Sequence, residues 1–370
     1  MAIAQEPQRV AELGIAARPP AAVPQSRRWL VVAFAVLAGL LALMLATAET
    51  GPGELRAPAP GGAHLVDGYP RANAPFLGFA HWPIVWQIIG FGGGAILLAV
   101  YGRRSWRDRR MHNGLCVVFA TGGMFLFDPI YNWLGYFPTD PRFLHIPHGV
   151  LPWSDLAPTF EPVFFFPLYM LWLTGFALLG RAVWKRLRAR GQAKRGAASW
   201  MYRHPLASLL IVSKLVTAPL DWGGFRLGAL SEGFIFSQAP GPLIGGGGTS
   251  QMQLLWEPLL FPLTILATSL LLYEDDEGRT IHGRVARRMR SFRSFPRLTE
   301  VGIAWSILAL SYSVCLLGMA ALRFTGQSDT VARPWPYSDT KVYDPDGLYE
   351  KAGQPGVKRT GAANWDLIRP

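Results

Sequence analysis

The chain alternates between long uncharged stretches and short charged ones. A helix needs about 20 apolar residues to cross a hydrocarbon core of ~30 Å, and backbone groups in lipid must be hydrogen-bonded within a helix or a closed barrel. The pattern therefore predicts an all-α fold, a polytopic membrane helix bundle of about seven transmembrane helices. The fifth run is the weakest span. The seven runs are 29–47, 83–101, about 112–127, 162–180, 205–220, 258–273 and about 299–322.

Basic residues separate these runs unevenly. The segments 103–110, 181–203 and 279–297 hold five, eight and seven Lys or Arg residues. The alternate connections hold only Arg56 and Arg71, then Arg142, then Arg226. Because Lys and Arg are enriched in cytoplasmic loops, we expect the N-terminus in the cytoplasm and the C-terminus outside, in a multi-pass protein of the cell membrane.

Composition agrees with this class. Half of the 370 residues are hydrophobic and 16% are charged, whereas a soluble protein has roughly a quarter charged. The basic segments lack the interleaved stacking aromatics of a nucleic-acid surface, so no nucleic-acid partner is predicted. Cys116 and Cys315 lie inside apolar runs, which is typical of core residues. No metal or other cofactor is predicted, since His145 and His148 make a poor metal pair without a third ligand and are expected to be solvated loop residues.

Three domains follow from these boundaries. Residues 1–26 are rich in Pro and Ala and predict a disordered cytoplasmic tail. Residues 27–322 form the seven-helix transmembrane domain. Residues 323–370 are polar and predict an extracytoplasmic C-terminal tail without a spanning segment.

Two parts of the transmembrane domain repeat one arrangement of acidic residues. In 112–180 and again in 205–273, an apolar run ends at an Asp and the next run begins with Glu-Pro. The two units resemble a duplicated helical hairpin. On the predicted topology, four carboxyl groups lie at the outer ends of helices three to six: Asp128, Glu161, Asp221 and Glu257.

These carboxyl groups are the candidate catalytic residues. A Glu directly before Pro suits the helix N-cap, where the helix dipole favours a carboxylate. An Asp that ends a helix meets the opposite field, which favours the acid. Two carboxyl groups in different protonation states are what acid–base chemistry requires. Acidic residues at helix ends also mark the membrane boundary in many proteins, and duplication alone would repeat them, so an architectural role stays open.

Four further residues are candidates for substrate binding. Asn132 and Trp133 follow Asp128, and Trp222 follows Asp221, so these side chains are placed to wall a pocket. Lys214 lies within an apolar run about two turns before Asp221. Ionisable residues at such depth are often functional, although a lysine can also extend its amine to the inner membrane surface.

Three motifs carry a family resemblance. Residues 128–132 read DPIYN, 273–280 read YEDDEGRT, and 337–347 read YSDTKVYDPDG. With these motifs the chain resembles the AveC-type spirocyclases, actinobacterial integral membrane proteins named for a spiroketal-forming member of a macrolide pathway. The resemblance implies cofactor-free ring closure, in which hydroxyls add to a ketone and water is lost, with dehydratase activity as a further option. It identifies no catalytic residue.

We therefore expect an acid–base cyclisation of a hydrophobic polyketide-like or lipid-like substrate, as in secondary metabolism. The expected partners are that small molecule and the lipid bilayer, and the oligomeric state is left open. Asp128 and Asp221 are predicted as proton donors, with Glu161 and Glu257 as acceptors or hydroxyl-orienting groups. The alternative is a non-enzymatic membrane transporter or scaffold for amphipathic metabolites. Transfer of lipid-linked glycosyl or phosphate groups ranks last, because no loop carries an acidic pair with a metal motif.

Overall fold

A computed structural model describes residues 27–56, 76–150, 153–191, 196–275, 277–327, 330–337, 340–354 and 356–359. The predicted tail of residues 1–26 lies outside these ranges. Within them, seven apolar helices follow the seven predicted runs. They are α1 (Arg28–Thr47), α2 (Trp82–Arg107), α3 (Asn113–Leu134), α4 (Phe165–Arg190), α5 (Pro205–Leu230), α6 (Glu257–Leu271) and α7 (Pro296–Phe324).

Six of these helices are long and apolar enough to cross a membrane, which confirms the all-α membrane class. The fifth run, predicted as the weakest span, forms a helix of 26 residues. Only α6 is shorter than 18 residues among the seven, and it is divided between Leu260 and Pro262.

The remaining elements are short. Two single 3-10 turns span Gly53–Leu55 and Ser154–Leu156, and four short helices span Ala197–Arg203, Ile281–Ala286, Ser291–Ser294 and Leu348–Lys351. Three two-stranded sheets pair β1 (His145–Ile146) with β2 (Glu161–Pro162), β3 (Leu243–Gly245) with β4 (Gln253–Leu254), and β5 (Val342–Tyr343) with β6 (Lys358–Arg359). The first two pairs are antiparallel and the third is parallel.

The helices form a ring of packed neighbours. The end of α4 packs on α5, α5 on α6, α6 on α7 and α7 on α3, while α2 packs on the start of α4. Gly94 permits that last contact, since a Cβ there would lie 2.6 Å from Pro167. Large apolar side chains remain exposed on the outside of α1, α2, α5 and α7, as a lipid-facing surface requires. Examples are Val36, Ile88, Leu215 and Leu310.

Several helices are locally irregular. α3 passes through a 3-10 turn, Gly123–Phe127, and α4 through a π-helical segment, Met170–Gly175. α5 contains Pro219, and Pro262 follows the first turn of α6. Proline removes an intrahelical donor, and π-helical segments are frequent at functional sites. These interruptions mark the part of the bundle that holds the four acidic residues.

The connections after α3 and α5 and the C-terminal segment form a cap over one end of the bundle. The backbone of Thr139 pairs with Phe234, and that of Gln238 pairs with Val331. The buried Tyr349 hydroxyl donates to the carbonyl oxygen of Ser237 at 2.9 Å. The Tyr136 hydroxyl, after α3, donates to the Asp346 carboxylate at 2.5 Å. The described residues of the C-terminal segment are therefore packed against both connections. At the other end of the bundle, Arg104 and Arg181 lie near Tyr101, and Arg297 lies over the Trp29 ring, so these members of the three basic segments lie away from the cap.

His145 lies inside this cap and not in solvent, so the expectation of a solvated loop residue is wrong for it. Its Nδ1 donates to the carbonyl oxygen of Phe143 at 2.8 Å, and its ring stacks on Phe160 with centroids 3.8 Å apart. Its Nε2 is buried without a partner among the described residues. Burial lowers the pKa of His145 to about 4, because a charged ring would lose its hydration there.

This burial predicts acid sensitivity. In the unfolded chain His145 takes up a proton near pH 6.5, whereas the folded ring resists protonation until about pH 4. The folded state should therefore lose stability as the pH falls from 6.5 to 4, by about 3 kcal/mol from this residue. Thermal unfolding in detergent across that range measures the effect. His145→Gln should flatten the slope, and an unchanged slope in the variant would contradict the assignment.

Candidate active site

The acidic residues lie deeper than predicted. Asp128 is followed by six more residues of α3, and Asp221 by nine more of α5. At 1.5 Å per residue these helices continue for about 9 Å and about 14 Å beyond them. The prediction that both Asp residues end their helices is therefore wrong. Pro129 does not stop α3, because it enters in the first turn of a new helical segment that begins at Asp128, where no donor is needed.

The two Glu residues also differ from the expected N-caps. Glu161 belongs to β2 and pairs with Ile146, four residues before α4 begins. Glu257 is the first residue of α6 and not its cap. The C-terminal field expected at both Asp residues is therefore absent, and Glu161 lies outside a helix, whereas Glu257 still lies in a first turn, where the dipole favours a carboxylate. Local hydrogen bonds must decide which member carries the proton.

The first unit brings its two carboxyl groups together. Asp128 and Glu161 are buried, and their carboxyl groups lie within hydrogen-bonding reach of each other. The Asn132 amide bridges them, donating to Asp128 Oδ2 at 2.9 Å and to Glu161 Oε2 at 3.1 Å. The Tyr169 hydroxyl donates to Asp128 Oδ1 and lies 2.8 Å from the Tyr312 hydroxyl. Two carboxyl groups this close can hydrogen-bond only when at least one of them carries a proton.

The second unit forms a similar pair with fewer donors. Asp221 and Glu257 are buried, and their carboxyl groups lie within hydrogen-bonding reach of each other. Asp221 Oδ1 accepts from the Trp172 indole at 2.5 Å. No donor from the described residues reaches either Glu257 oxygen. Gly224, nearly one turn after Asp221, leaves room for the indole, since a Cβ there would lie 2.0 Å from the Trp172 ring.

A cavity of about 50 Å³ lies beside these pairs. Asp128 lines it directly, and so do Tyr169 and Trp172, which donate to Asp128 and Asp221 respectively. A buried water needs roughly 10–15 Å³ by this measure, so the space holds several waters or a compact group. The cavity suits the reacting part of a substrate and not a long chain.

Comparison with known proteins shows the family of this chain. A family model described as spirocyclase AveC-like matches residues 106–343, well over half of the chain. The chain belongs to the AveC-like spirocyclase family. Membership supports a cyclase-type enzymatic function at that coarse level. Searches of curated proteins and of solved structures find no match.

The spirocyclase motifs occupy three regions of the fold. DPIYN supplies the site with Asp128, Tyr131 and Asn132. YSDTKVYDPDG lies in the cap, where the Asp344 carboxylate accepts from the backbone nitrogens of Tyr349 and Glu350, both at 2.9 Å. YEDDEGRT lies at the basic end, where Asp275 pairs with Arg279. Only the first motif contacts the cavity among the described residues.

The predicted binding residues separate in the structure. Asn132 lies between the carboxyl groups of the first pair. Lys214 lies near the second pair and donates to the carbonyl oxygens of Pro258 and Leu259, both at 2.9 Å. The first of these carbonyls is free because Pro262 has no N–H to offer it. Trp222 is 37% exposed, and Trp133 packs under the Arg323 guanidinium, so neither lines the cavity.

Sequence reasoning missed the donors to the carboxyl groups. Tyr169 and Tyr312 are buried in α4 and α7, and Trp172 lies in the π-helical segment of α4. Their signal was a hydroxyl or indole N–H within a spanning run, where it requires a hydrogen-bond partner. Among the described residues, no three His, Cys, Asp or Glu side chains converge as metal ligands.

Asn132 should contribute more to stability than an ordinary buried amide. Asn132→Leu removes two hydrogen bonds to carboxyl groups and is expected to destabilise the fold by about 2–4 kcal/mol. Asn113→Leu, also on α3, removes one bond to the Leu271 carbonyl oxygen and should cost about 1 kcal/mol. Thermal unfolding in detergent compares the two. Equal losses would contradict the bridging role.

Proposed function

We propose that the protein catalyses cofactor-independent acid–base cyclisation of a hydrophobic dihydroxyketone to a spiroketal within the cell membrane. The substrate class is polyketide-like or lipid-like, since apolar and aromatic side chains form most of the cavity wall. One observation carries the proposal: a hydrogen-bonded carboxyl pair, Asp128 and Glu161, stands at the wall of a buried cavity in a member of the spirocyclase family.

Each of the two ring closures needs one acid and one base. In the first ring closure, a hydroxyl adds to the ketone while its proton leaves and the carbonyl oxygen gains a proton. In the second, the hemiketal hydroxyl is protonated and leaves as water, and the second hydroxyl adds to the resulting cation. The balance is dihydroxyketone to spiroketal plus one water. Paired carboxyl groups manage the related oxocarbenium chemistry of glycosides.

Hydrogen-bond donors favour the opposite roles from those predicted by the sequence. Asp128 accepts from Asn132 and Tyr169, whereas Glu161 accepts only from Asn132 and leaves Oε1 without a donor among the described residues. Donors stabilise a carboxylate. We therefore assign Glu161 as the residue that holds the proton and Asp128, the carboxyl group that lines the cavity, as the residue that exchanges protons with the substrate. Their mutual hydrogen bond returns the proton from Asp128 to Glu161 between steps.

The second pair has a positioning role in this proposal. Asp221 holds the Trp172 indole, and Trp172 forms part of the cavity wall. Glu257 in turn hydrogen-bonds Asp221. This pair therefore acts on the substrate through the shape of the wall, which orients the chain for one stereochemical outcome.

Glu161→Gln tests the acid assignment. The variant keeps the size of the side chain but removes its proton, so the rate of spiroketal formation should fall by about 10²–10⁴-fold. The measurement uses the full chain in detergent, a prochiral synthetic dihydroxyketone, and chiral chromatography of the product. Asp221→Asn should change the ratio of stereoisomers more than the rate.

Asp108→Asn is the matched control, because Asp108 is a carboxyl at the basic end, paired with Arg107. It should leave rate and stereochemistry unchanged. If the native protein formed only the racemic product of the uncatalysed reaction, the proposed enzymatic activity would be refuted. The same result with retained binding of the dihydroxyketone would favour the transporter or scaffold.

A further inference from the structure

The cavity beside Asp128 has an unusual wall. Eight of its ten lining residues are aromatic. Asp128 supplies the only carboxyl group, and no Lys, Arg or His is among the residues that line it. The aromatic members are Tyr131, Phe137, Phe165, Tyr169, Trp172, Phe225, Phe234 and Phe261.

The rings hold one another in place around Phe225. Its ring centroid lies 5.5 Å from that of Phe261, 5.9 Å from those of Phe137 and Trp172, and 6.2 Å from that of Phe234. All four of these pairs are edge-on, with interplanar angles between 63° and 80°. Phe225 belongs to α5, and these neighbours come from α4, α6 and the connections after α3 and α5. Rings from five parts of the fold therefore pack together to form the wall.

Aromatic ring faces and a carboxylate both attract cations. The face of each ring carries partial negative charge and attracts a cation that lies within about 6 Å of its centroid. A carboxylate adds a full negative charge in a space with little water to screen it. A neutral apolar group would gain only dispersion contacts from the same wall. The composition thus favours a compact cation over a neutral group of equal size.

We propose that this cavity is an aromatic cage for a positively charged group, with Asp128 as its counter-charge. The inference rests on the proposed function for its role in the reaction, where the cation is the oxocarbenium ion. That ion forms when the hemiketal C–O bond breaks and the hydroxyl leaves as water with a proton that Asp128 relays from Glu161. The second hydroxyl then forms the new C–O bond and passes its proton to Asp128.

The cage can be tested without turnover. Tetramethylammonium and tert-butanol are compact and similar in shape, and they differ in charge. Isothermal titration calorimetry of the full chain in a neutral maltoside detergent should show tetramethylammonium binding at least tenfold more tightly than tert-butanol. Equal affinity, or no binding of the cation, would overturn the proposal.

Variants locate the binding. Phe225→Leu keeps an apolar side chain but removes one ring face, so cation affinity should fall about tenfold while tert-butanol affinity changes less than twofold. Asp128→Asn should lower the affinity for the cation by at least as much. Phe125→Leu is the matched control, because Phe125 is buried in α3 outside the cavity wall. Cation binding that persists in both Phe225→Leu and Asp128→Asn would place it elsewhere and refute the cage.

The two proposals fail separately. Charge-selective binding with no spiroketal formation would leave the cage in place and remove the cyclase reaction. Stereoselective cyclisation with no preference for tetramethylammonium would retain the reaction and remove the cage. If both hold, tetramethylammonium should inhibit cyclisation competitively, and Phe225→Leu should relieve that inhibition.

Discussion

The burial of carboxyl groups constrains the rest of this bundle. An isolated carboxylate in an apolar interior is too costly to persist, and it is tolerated only when paired and hydrogen-bonded. The first pair meets this condition with groups from separate elements: Asn132 from α3, Tyr169 from α4 and Glu161 from β2. Tyr312 of α7 joins through Tyr169. One buried charge therefore fixes the positions of three helices and a connection.

The irregular helices follow from the same constraint. Tyr169 and Trp172 are three residues apart on α4 but donate to different Asp residues. The π-helical segment begins between them, at Met170, and includes Trp172. A π-helical segment alters the facing of side chains along a helix. Pro262 similarly frees the carbonyl oxygen that Lys214 reaches. Strict α-helices would present these groups differently, so the local irregularities belong to the site.

The sequence predicted the seven apolar helices and one shared site for the four acidic residues, because hydrophobic periodicity and repetition are local patterns. It did not predict that these residues divide into two pairs, of which only Asp128 lines the cavity. It could not predict how far Asp128 and Asp221 lie from the ends of their helices. The last turns of α3 and α5 follow Asp128 and Asp221 and are covered by the cap. Their sequences mix polar and apolar residues, so the hydrophobic pattern does not predict a helix there. The aromatic cavity was equally hidden, since Phe225 and Phe137 meet only after distant segments pack. His145 was misjudged for the same reason.

The two units are alike in sequence and unequal in structure, and this inequality bears on mechanism. The first pair has donors on both carboxyl groups and an open cavity face at Asp128. The second has one donor, Trp172, and lies behind that ring. A duplicated hairpin explains why both pairs exist, but it does not explain why only one meets the cavity. Acid–base chemistry requires contact with the reacting atoms, so only the first unit is placed for it. The second unit supports the wall against which the first unit works.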